Sequence, residues 1–185
     1  MTADRFEICW PLVLAEECPF PQDWSNPRNF DNDPRDRGGA TMCGIIQREY
    51  DHFRKVLGKH VQPVRLISKE EGHWIYLNWY WLPHCPQLPP GLDLAFFDAA
   101  VNQGSVEAIR ILQVSLRLDS DGIWGPKTAA AIANTPVAAA VKAFALRRAQ
   151  VYHLTHGFED FGEGWLARNH KIETAGLGMI DGATA

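Results

Sequence analysis

Hydrophobic residues recur every three or four positions along most of the chain, and this spacing predicts a mainly helical protein. Prolines and glycines separate the periodic segments and mark where helices end. Ser68 and Ser105 are each placed to cap a helix, and Pro126 is placed in the first turn of another. The pattern predicts helices over residues 3–17, 46–57, 69–81, 94–104, 106–116, 126–133 and 136–153.

The segment over residues 18–39 breaks this periodic pattern. It is rich in proline, asparagine, aspartate and glycine, which predicts a loop with a short hairpin. Long loops inside compact domains are usually functional, so this loop is a candidate part of the functional site. At the other end of the chain, residues 171–185 are predicted to form a flexible tail.

Glu17 closes the first apolar helical segment and is the leading candidate for a catalytic residue. In a helix over residues 3–17 it shares one face with Trp10 and Val13. An acid in apolar surroundings tends to stay protonated, and cleavage of a glycosidic bond needs a protonated carboxylic acid beside the leaving oxygen. Glu17 is therefore predicted to be a general acid for glycoside hydrolysis, with Glu16 as its competitor.

Gly38 and Gly39 give the backbone the freedom for a tight turn. Such a turn can bring Asp36 and Thr41 to one rim of a cleft, where either can position the attacking water or stabilise the transition state. The structural alternatives are that Asp36 is a turn residue and that Thr41 pairs in a hairpin. Both alternatives stay open at this point.

Composition and charge narrow the class of protein. With 185 residues, 46% hydrophobic and 22% charged, the chain can form one globular domain or two small lobes. A net charge of −4 gives no reason to expect binding to nucleic acid, which needs a basic face. No apolar run is long enough to insert into a membrane. The four cysteines show neither a CxxC pair nor metal-ligand spacing with histidines, so they are predicted to be reduced, and no metal or organic cofactor is expected.

The loop carries a motif that resembles a known family. The residues of this motif are Asp33-Pro34, Asp36, Gly38-Gly39, Thr41 and Gly44-Ile45. These residues closely resemble, position by position, the signature of glycoside hydrolase family 108, which contains bacterial and phage N-acetylmuramidases. Glu17 falls where the catalytic glutamate of the family does. The chain departs from the pattern after this residue, where Cys18-Pro19-Phe20 replaces Gly-Gly-Tyr and residues 21–31 resemble an insertion.

The resemblance implies five substrate-binding residues. Phe20 keeps an aromatic ring near the acid, and the Tyr-Trp pair of the family matches Tyr80 and Trp81. A Phe-Asp-x-x-x-Asn-x-Gly pattern also resembles the family and contains Asp98 and Asn102, which lie four residues apart on one helical face. The alternatives are that the aromatic residues belong to the core, and that Asp98 and Asn102 are a structural pair that ties helices together.

The resemblance implies a lysozyme-like helical fold with a small β-hairpin at the cleft and a C-terminal helical lobe. The catalytic region would cover residues 1–104. Residues 105–170 would form a packed helical region, because Asp121-Gly122 to Thr128 resembles a small peptidoglycan-binding fold. The expected activity is that of a lysozyme: hydrolysis of the β-1,4 bond between N-acetylmuramic acid and N-acetylglucosamine.

The setting implied by the resemblance is that of a phage-type endolysin. Peptidoglycan glycan strands are the expected partner, and a monomer is the expected state. No convincing targeting segment is present, so we expect synthesis in the cytoplasm and action in the periplasm or cell wall after release. Two other functions stay open: a non-catalytic wall-binding or secretion-assisting protein of the same fold, and a related enzyme, either a lytic transglycosylase or a chitinase.

Overall fold

The computed structural model describes residues 2–32 and 39–181 of the chain. This part is mainly helical, which confirms the predicted fold class. Its strands are β1 (Phe30–Asp31), β2 (Thr41–Met42) and β3 (Ile45–Ile46). Its α-helices are α1 (Thr2–Glu17), α2 (Gln47–Val56), α3 (Lys69–Ile75), α4 (Leu92–Gln103), α5 (Ser105–Ser115), α6 (Pro126–Ala133), α7 (Val137–His153) and α8 (Phe158–Asp181).

The described chain consists of two compact units, one over residues 3–79 and one from residue 80 onward. The predicted domain boundary after residue 104 stays a prediction. Among the described residues, no helix combines the length and apolar character that crossing a membrane requires. The same residues contain no cluster of three or more histidine, cysteine, aspartate or glutamate side chains that could hold a metal ion.

Helix α1 places Glu17 at its C-terminal end. Phe6, Cys9 and Val13 are fully buried on one face, as the three-to-four spacing predicts. Pro11 lies inside the helix but on its exposed side, and the helix continues past it to Glu17. The predicted helix over residues 3–17 is therefore confirmed despite the proline.

The three strands form a small antiparallel sheet in the order β1-β2-β3. Met42 pairs with Phe30 on one side and with Ile45 on the other. Strands β2 and β3 are joined by the two-residue turn of Cys43 and Gly44, which we call the hairpin turn. Both residues have positive φ, 45° and 76°. Positive φ at both central positions is the geometry of a type I′ hairpin, which follows the twist of the strands.

The aromatic segment does not continue as one α-helix to residue 81. Ser68 caps α3 through a capping box with Glu71, as predicted, but α3 ends at Ile75. A π-helix follows over Tyr76–Trp81. Single-turn π-helices inside helical segments are rare and often occur at functional sites. The change of helix type places Tyr76 at the junction.

In the second unit, α4 is buried on nearly all sides, from Leu92 to Ala100. Helix α5 begins at Ser105 itself, so the prediction that Ser105 caps it is wrong. The cap is Gly104, whose φ of 89° turns the chain directly from α4 into α5.

The C-terminal segment is helical further along the chain than predicted. Helix α8 continues to Asp181, whereas the sequence predicts a flexible tail over residues 171–185. A Cβ on Gly176 would lie 2.8 Å from the carbonyl oxygen of Gly91, so two backbones meet here without side chains between them. Ile172 is also buried. Helix α8 therefore continues through most of the predicted tail and contacts the start of α4 on its way.

Candidate active site

Glu17 is half-buried at the end of α1, and its Oε1 atom is shielded from solvent. The hairpin turn packs against its side chain. A Cβ built on Gly44 would lie 2.9 Å from Glu17 Oε2 and 3.0 Å from Glu17 Cβ. The predicted acid therefore rests directly on a glycine of the motif, and this position has no room for a larger residue.

Gly44 is required for two independent reasons. Its φ of 76° lies in the left-handed region, which glycine adopts without steric cost. Its missing side chain also leaves the space that the Glu17 carboxyl occupies. Gly44 thus allows the backbone conformation of the turn and leaves the space that the Glu17 carboxyl group occupies.

A disulfide joins Cys18 to Cys43, so the prediction that these two cysteines are reduced is wrong. Cys9 and Cys85 are reduced and buried, as predicted. The bond links the residue after Glu17 to the first residue of the hairpin turn. The sequence did not reveal this pair because the two residues are 25 positions apart and only the fold brings them together.

Removing this disulfide is expected to destabilise the protein. Closing a loop of about this length lowers the free energy of the folded state relative to the unfolded one by about 3 kcal/mol in the chain-entropy model. A variant with Cys18→Ser and Cys43→Ser should therefore unfold at a lower urea concentration, and reductant should shift the wild type in the same direction. A variant with Cys9→Ser and Cys85→Ser is the matched control. It keeps the disulfide, so reductant should still lower its urea midpoint. An unchanged midpoint in the first variant would contradict the expectation.

Tyr76 reaches the same turn from the start of the π-helix. Its hydroxyl donates a hydrogen bond of 2.9 Å to the carbonyl oxygen of Cys43. The side chain is 1% exposed, and its ring lies 6.4 Å from that of Trp10 on α1. Nothing in the sequence singled out this tyrosine, because its neighbours are also aromatic.

Phe20 is held in the loop after Glu17 by a buried asparagine. The Asn29 side chain accepts a hydrogen bond of 2.8 Å from the Phe20 amide and donates one of 3.1 Å to its carbonyl. It also donates to the carbonyl of Asp23. The guanidinium of Arg28 lies 4.9 Å from the centre of the Phe20 ring. The backbone of Phe20 is thus held three residues after the end of α1, and the contact of its ring with substrate stays a prediction.

Of the two residues predicted to position the water, Thr41 lies in the described part of the chain and Asp36 does not. Thr41 pairs with Asp31 and Ile46 in the sheet, and its hydroxyl donates a hydrogen bond of 3.2 Å to the carbonyl of Gly39. This is the hairpin pairing that the sequence left open beside the catalytic role. Asp36 lies outside the described residues, as do Asp33, Pro34 and Gly38 of the motif.

The other predicted substrate contacts belong to the second unit. Trp81 is 1% exposed and packs edge-on against Phe97, with 5.3 Å between ring centres. Tyr80 is half-buried. A contact of Trp81 with a sugar would need an exposed ring face, so its surroundings are those of the core alternative. The substrate contacts of both residues stay predictions.

Asp98 and Asn102 take part in one polar network that joins α4 to α7 and α8. Asp98 is 0% exposed and accepts hydrogen bonds from Arg148 and Arg168. Asn102 accepts one of 2.8 Å from the hydroxyl of Tyr152. These contacts fit the structural alternative from the sequence, in which the two residues tie helices together.

The charges around Asp98 make this network sensitive to acid. Burial by itself raises the pKa of Asp98, but the positive charges of Arg148 and Arg168 outweigh burial and hold the pKa below its usual value. Because the pKa of Asp98 is lower in the folded state than in the unfolded state, its ionised carboxylate stabilises the folded protein at pH values above the unfolded-state pKa. This contribution is lost as the pH falls below about 4. We therefore expect the urea midpoint to fall steeply on acidification, and less steeply in an Asp98→Asn variant; parallel pH curves would contradict this.

The residues that the sequence did not indicate are Asn29, Tyr76 and the Cys18–Cys43 pair. Gly44 was identified from the sequence as part of the motif, but no function was assigned to it. A signal was present for the cysteines, because Cys18 follows the predicted acid and Cys43 lies inside the motif. Asn29 and Tyr76 had no such signal, since their roles arise from contacts over nine and 33 positions.

The described chain is mainly helical, with a glutamate at the end of an apolar helix and the turn of a small antiparallel sheet against it, and this arrangement is consistent with a lysozyme-like fold. Residues 28–104 match the model of the family Glycosyl hydrolase 108, and the resemblance to this family is confirmed over these residues. The match begins after Glu17 and before the motif. The match to this family supports a glycosidase that acts on the glycan of peptidoglycan.

The fold is also similar to a solved structure, that of SagA from Brucella abortus. The two chains superpose with a TM-score of 0.77 and are 26% identical, and the similarity covers 94% of each. No curated protein matches the chain. The similarity to SagA thus extends over both units, beyond the residues that match the family model.

Proposed function

We propose that this protein is an N-acetylmuramidase with lysozyme activity, in which Glu17 is the general acid. It would cleave the β-1,4 bond between N-acetylmuramic acid and N-acetylglucosamine in peptidoglycan. The observation that carries the proposal is the position of the Glu17 carboxyl, which lies half-buried against the glycine of the family motif. The family match beside it supports glycoside hydrolysis as the reaction.

In this mechanism Glu17 donates its proton to the glycosidic oxygen as the bond from that oxygen to the anomeric carbon breaks. The oxygen of a water molecule then bonds to the anomeric carbon. Asp36 or Thr41 would position this water, and Asp36 as the base would accept its proton. The proton lost by Glu17 and the proton taken from water balance over one cycle, so neither a cofactor nor a metal ion is required.

Phe20 is the best-supported sugar contact of this proposal in the first unit. Asn29 holds the backbone of Phe20 at both its amide and its carbonyl, three residues after Glu17. Aromatic rings offer an apolar face to a sugar and lose little conformational entropy when it binds. Tyr80, Trp81, Asp98 and Asn102 belong to the second unit, and their contacts with the substrate stay predictions.

The proposed place of action is the periplasm or cell wall, after synthesis in the cytoplasm. The disulfide between Cys18 and Cys43 supports this proposal, because disulfides persist in oxidising compartments and are rare in the cytosol. A phage-type endolysin acting as a monomer on glycan strands fits this setting.

Mass spectrometry of the soluble products from purified peptidoglycan tests the proposal. A muramidase releases fragments with reducing N-acetylmuramic acid ends. Fragments with anhydro-muramyl ends would instead identify a lytic transglycosylase, and reducing N-acetylglucosamine ends would show that the other bond is cleaved. If the protein sediments with the wall but releases nothing, it is a wall-binding protein and the catalytic proposal is wrong.

A further inference from the structure

The hairpin turn under Glu17 is held at its peptide bond by a second side chain. The hydroxyl of Tyr76 donates to the carbonyl of Cys43, and this carbonyl belongs to the peptide group that joins Cys43 to Gly44. Because a peptide group is planar, fixing its oxygen also fixes the direction in which the chain enters Gly44. Tyr76 is 1% exposed, so water does not compete strongly for this hydrogen bond.

The oxygens of Tyr76 and Glu17 meet at the same face of the turn. A Cβ on Gly44 would lie 2.7 Å from the Tyr76 hydroxyl oxygen and 2.9 Å from Glu17 Oε2. Both oxygens therefore lie within 3 Å of one point beside the Gly44 backbone. A small rotation of the turn would change the space that the Glu17 carboxyl occupies.

The other contacts of Cys43 hold different groups. Its sulfur is bonded to Cys18, and its amide donates a hydrogen bond of 3.2 Å to the carbonyl of Asn29. These contacts anchor the residue through its side chain and its amide. The hydrogen bond from Tyr76 acts on the carbonyl that leads into Gly44, the residue whose built Cβ would lie 2.9 Å from Glu17 Oε2.

We propose that Tyr76 is a positioning residue for catalysis, which holds the hairpin turn against the Glu17 carboxyl through the Cys43–Gly44 peptide group. The inference rests on the proposed function, because it requires Glu17 to be the general acid. Tyr76 donates no proton to the substrate in this role, since its hydroxyl hydrogen is engaged by the carbonyl of Cys43. Its effect is on where the proton-donating oxygen lies.

Two variants test the role from opposite sides of the turn. Tyr76→Phe removes the hydroxyl but keeps the ring, and we expect kcat to fall by about 10-fold with KM unchanged. Gly44→Ala places a methyl carbon 2.7 Å from the Tyr76 hydroxyl oxygen and 2.9 Å from Glu17 Oε2, so the turn and these two side chains must move apart. A misplacement of about 1 Å can cost about 100-fold in rate, and we expect a loss of kcat of this order.

Matched controls separate positioning from a general loss of stability. Tyr50→Phe also removes a buried tyrosine hydroxyl, which is bonded to Glu71 in the same unit. Gly58→Ala adds a methyl group at another glycine of positive φ, 65°, with no atom within 4 Å of it. Both controls should keep the wild-type kcat. Rates are compared at a temperature at which circular dichroism shows all four variants folded, so that lost folding does not enter kcat.

The outcomes distinguish this inference from the proposed function. If Glu17→Gln is inactive while folded Tyr76→Phe and Gly44→Ala keep the wild-type kcat, the positioning role is wrong and the muramidase stands. A higher KM at unchanged kcat in Tyr76→Phe would also overturn the inference, because it would place Tyr76 in substrate binding. If Glu17→Gln itself stays active, the proposed function fails first and the positioning role fails with it.

Discussion

Replacing Glu17 by Gln is expected to lower the rate of peptidoglycan hydrolysis by about 10²–10⁴-fold, the contribution typical of general acid catalysis. The amide keeps the shape of the carboxyl group but has no acidic proton to give to the leaving oxygen. The side chain is only half-buried, so the folded state should tolerate the change. Release of reducing ends from purified peptidoglycan measures the rate, and sedimentation with the wall measures binding, which should persist.

Glu16→Gln is the matched control for this prediction. Glu16 also lies in the last turn of α1 and is also half-buried, but it points about 100° away around the helix. Its replacement should leave the rate near that of the wild type. Loss of activity in Glu16→Gln alone would transfer the role of acid to Glu16, and full activity in both variants would contradict a glutamate acid at the end of α1.

The first helix and the position of Glu17 at its end were predictable because local periodicity determines them. The buried face of α1 follows from apolar residues spaced by three and four, and Glu17 is where this spacing ends. The family motif added the position of Gly44. Its second role, as the space for the Glu17 carboxyl, was not predictable because it depends on how the hairpin packs on α1.

Contacts between distant residues account for what the sequence did not indicate. The tail was predicted to be flexible because it is a chain terminus, yet Gly176 is where α8 meets the backbone of Gly91. Tyr76 lies in a run of aromatic residues with the same local pattern, so only the hydrogen bond to Cys43 distinguishes it. Such positions gain their roles from the partner that the fold brings to them.

Asp98 is the residue for which a substrate role and a structural role predict the most different results. Asp98→Ala would leave Arg148 and Arg168, which are 1% and 9% exposed, without their shared carboxylate. Removing one member of a buried ion pair typically costs about 3–5 kcal/mol, because the remaining charge stays buried without compensation. We expect a loss of this size in the free energy of unfolding, measured by urea denaturation.

Asp119→Ala is the matched control, since Asp119 is an exposed aspartate of the same unit and its replacement should change the free energy of unfolding by less than about 0.5 kcal/mol. A substrate contact at Asp98 predicts the opposite pattern: an unchanged urea midpoint with a raised KM. The structural role is favoured because Arg168 donates from two nitrogens to the same carboxylate that Arg148 reaches from α7, so a sugar hydroxyl would have to displace a charge-assisted hydrogen bond. An Asp98→Ala variant that keeps the wild-type stability would show that the two arginines find another partner, and Asp98 would then be available to the substrate.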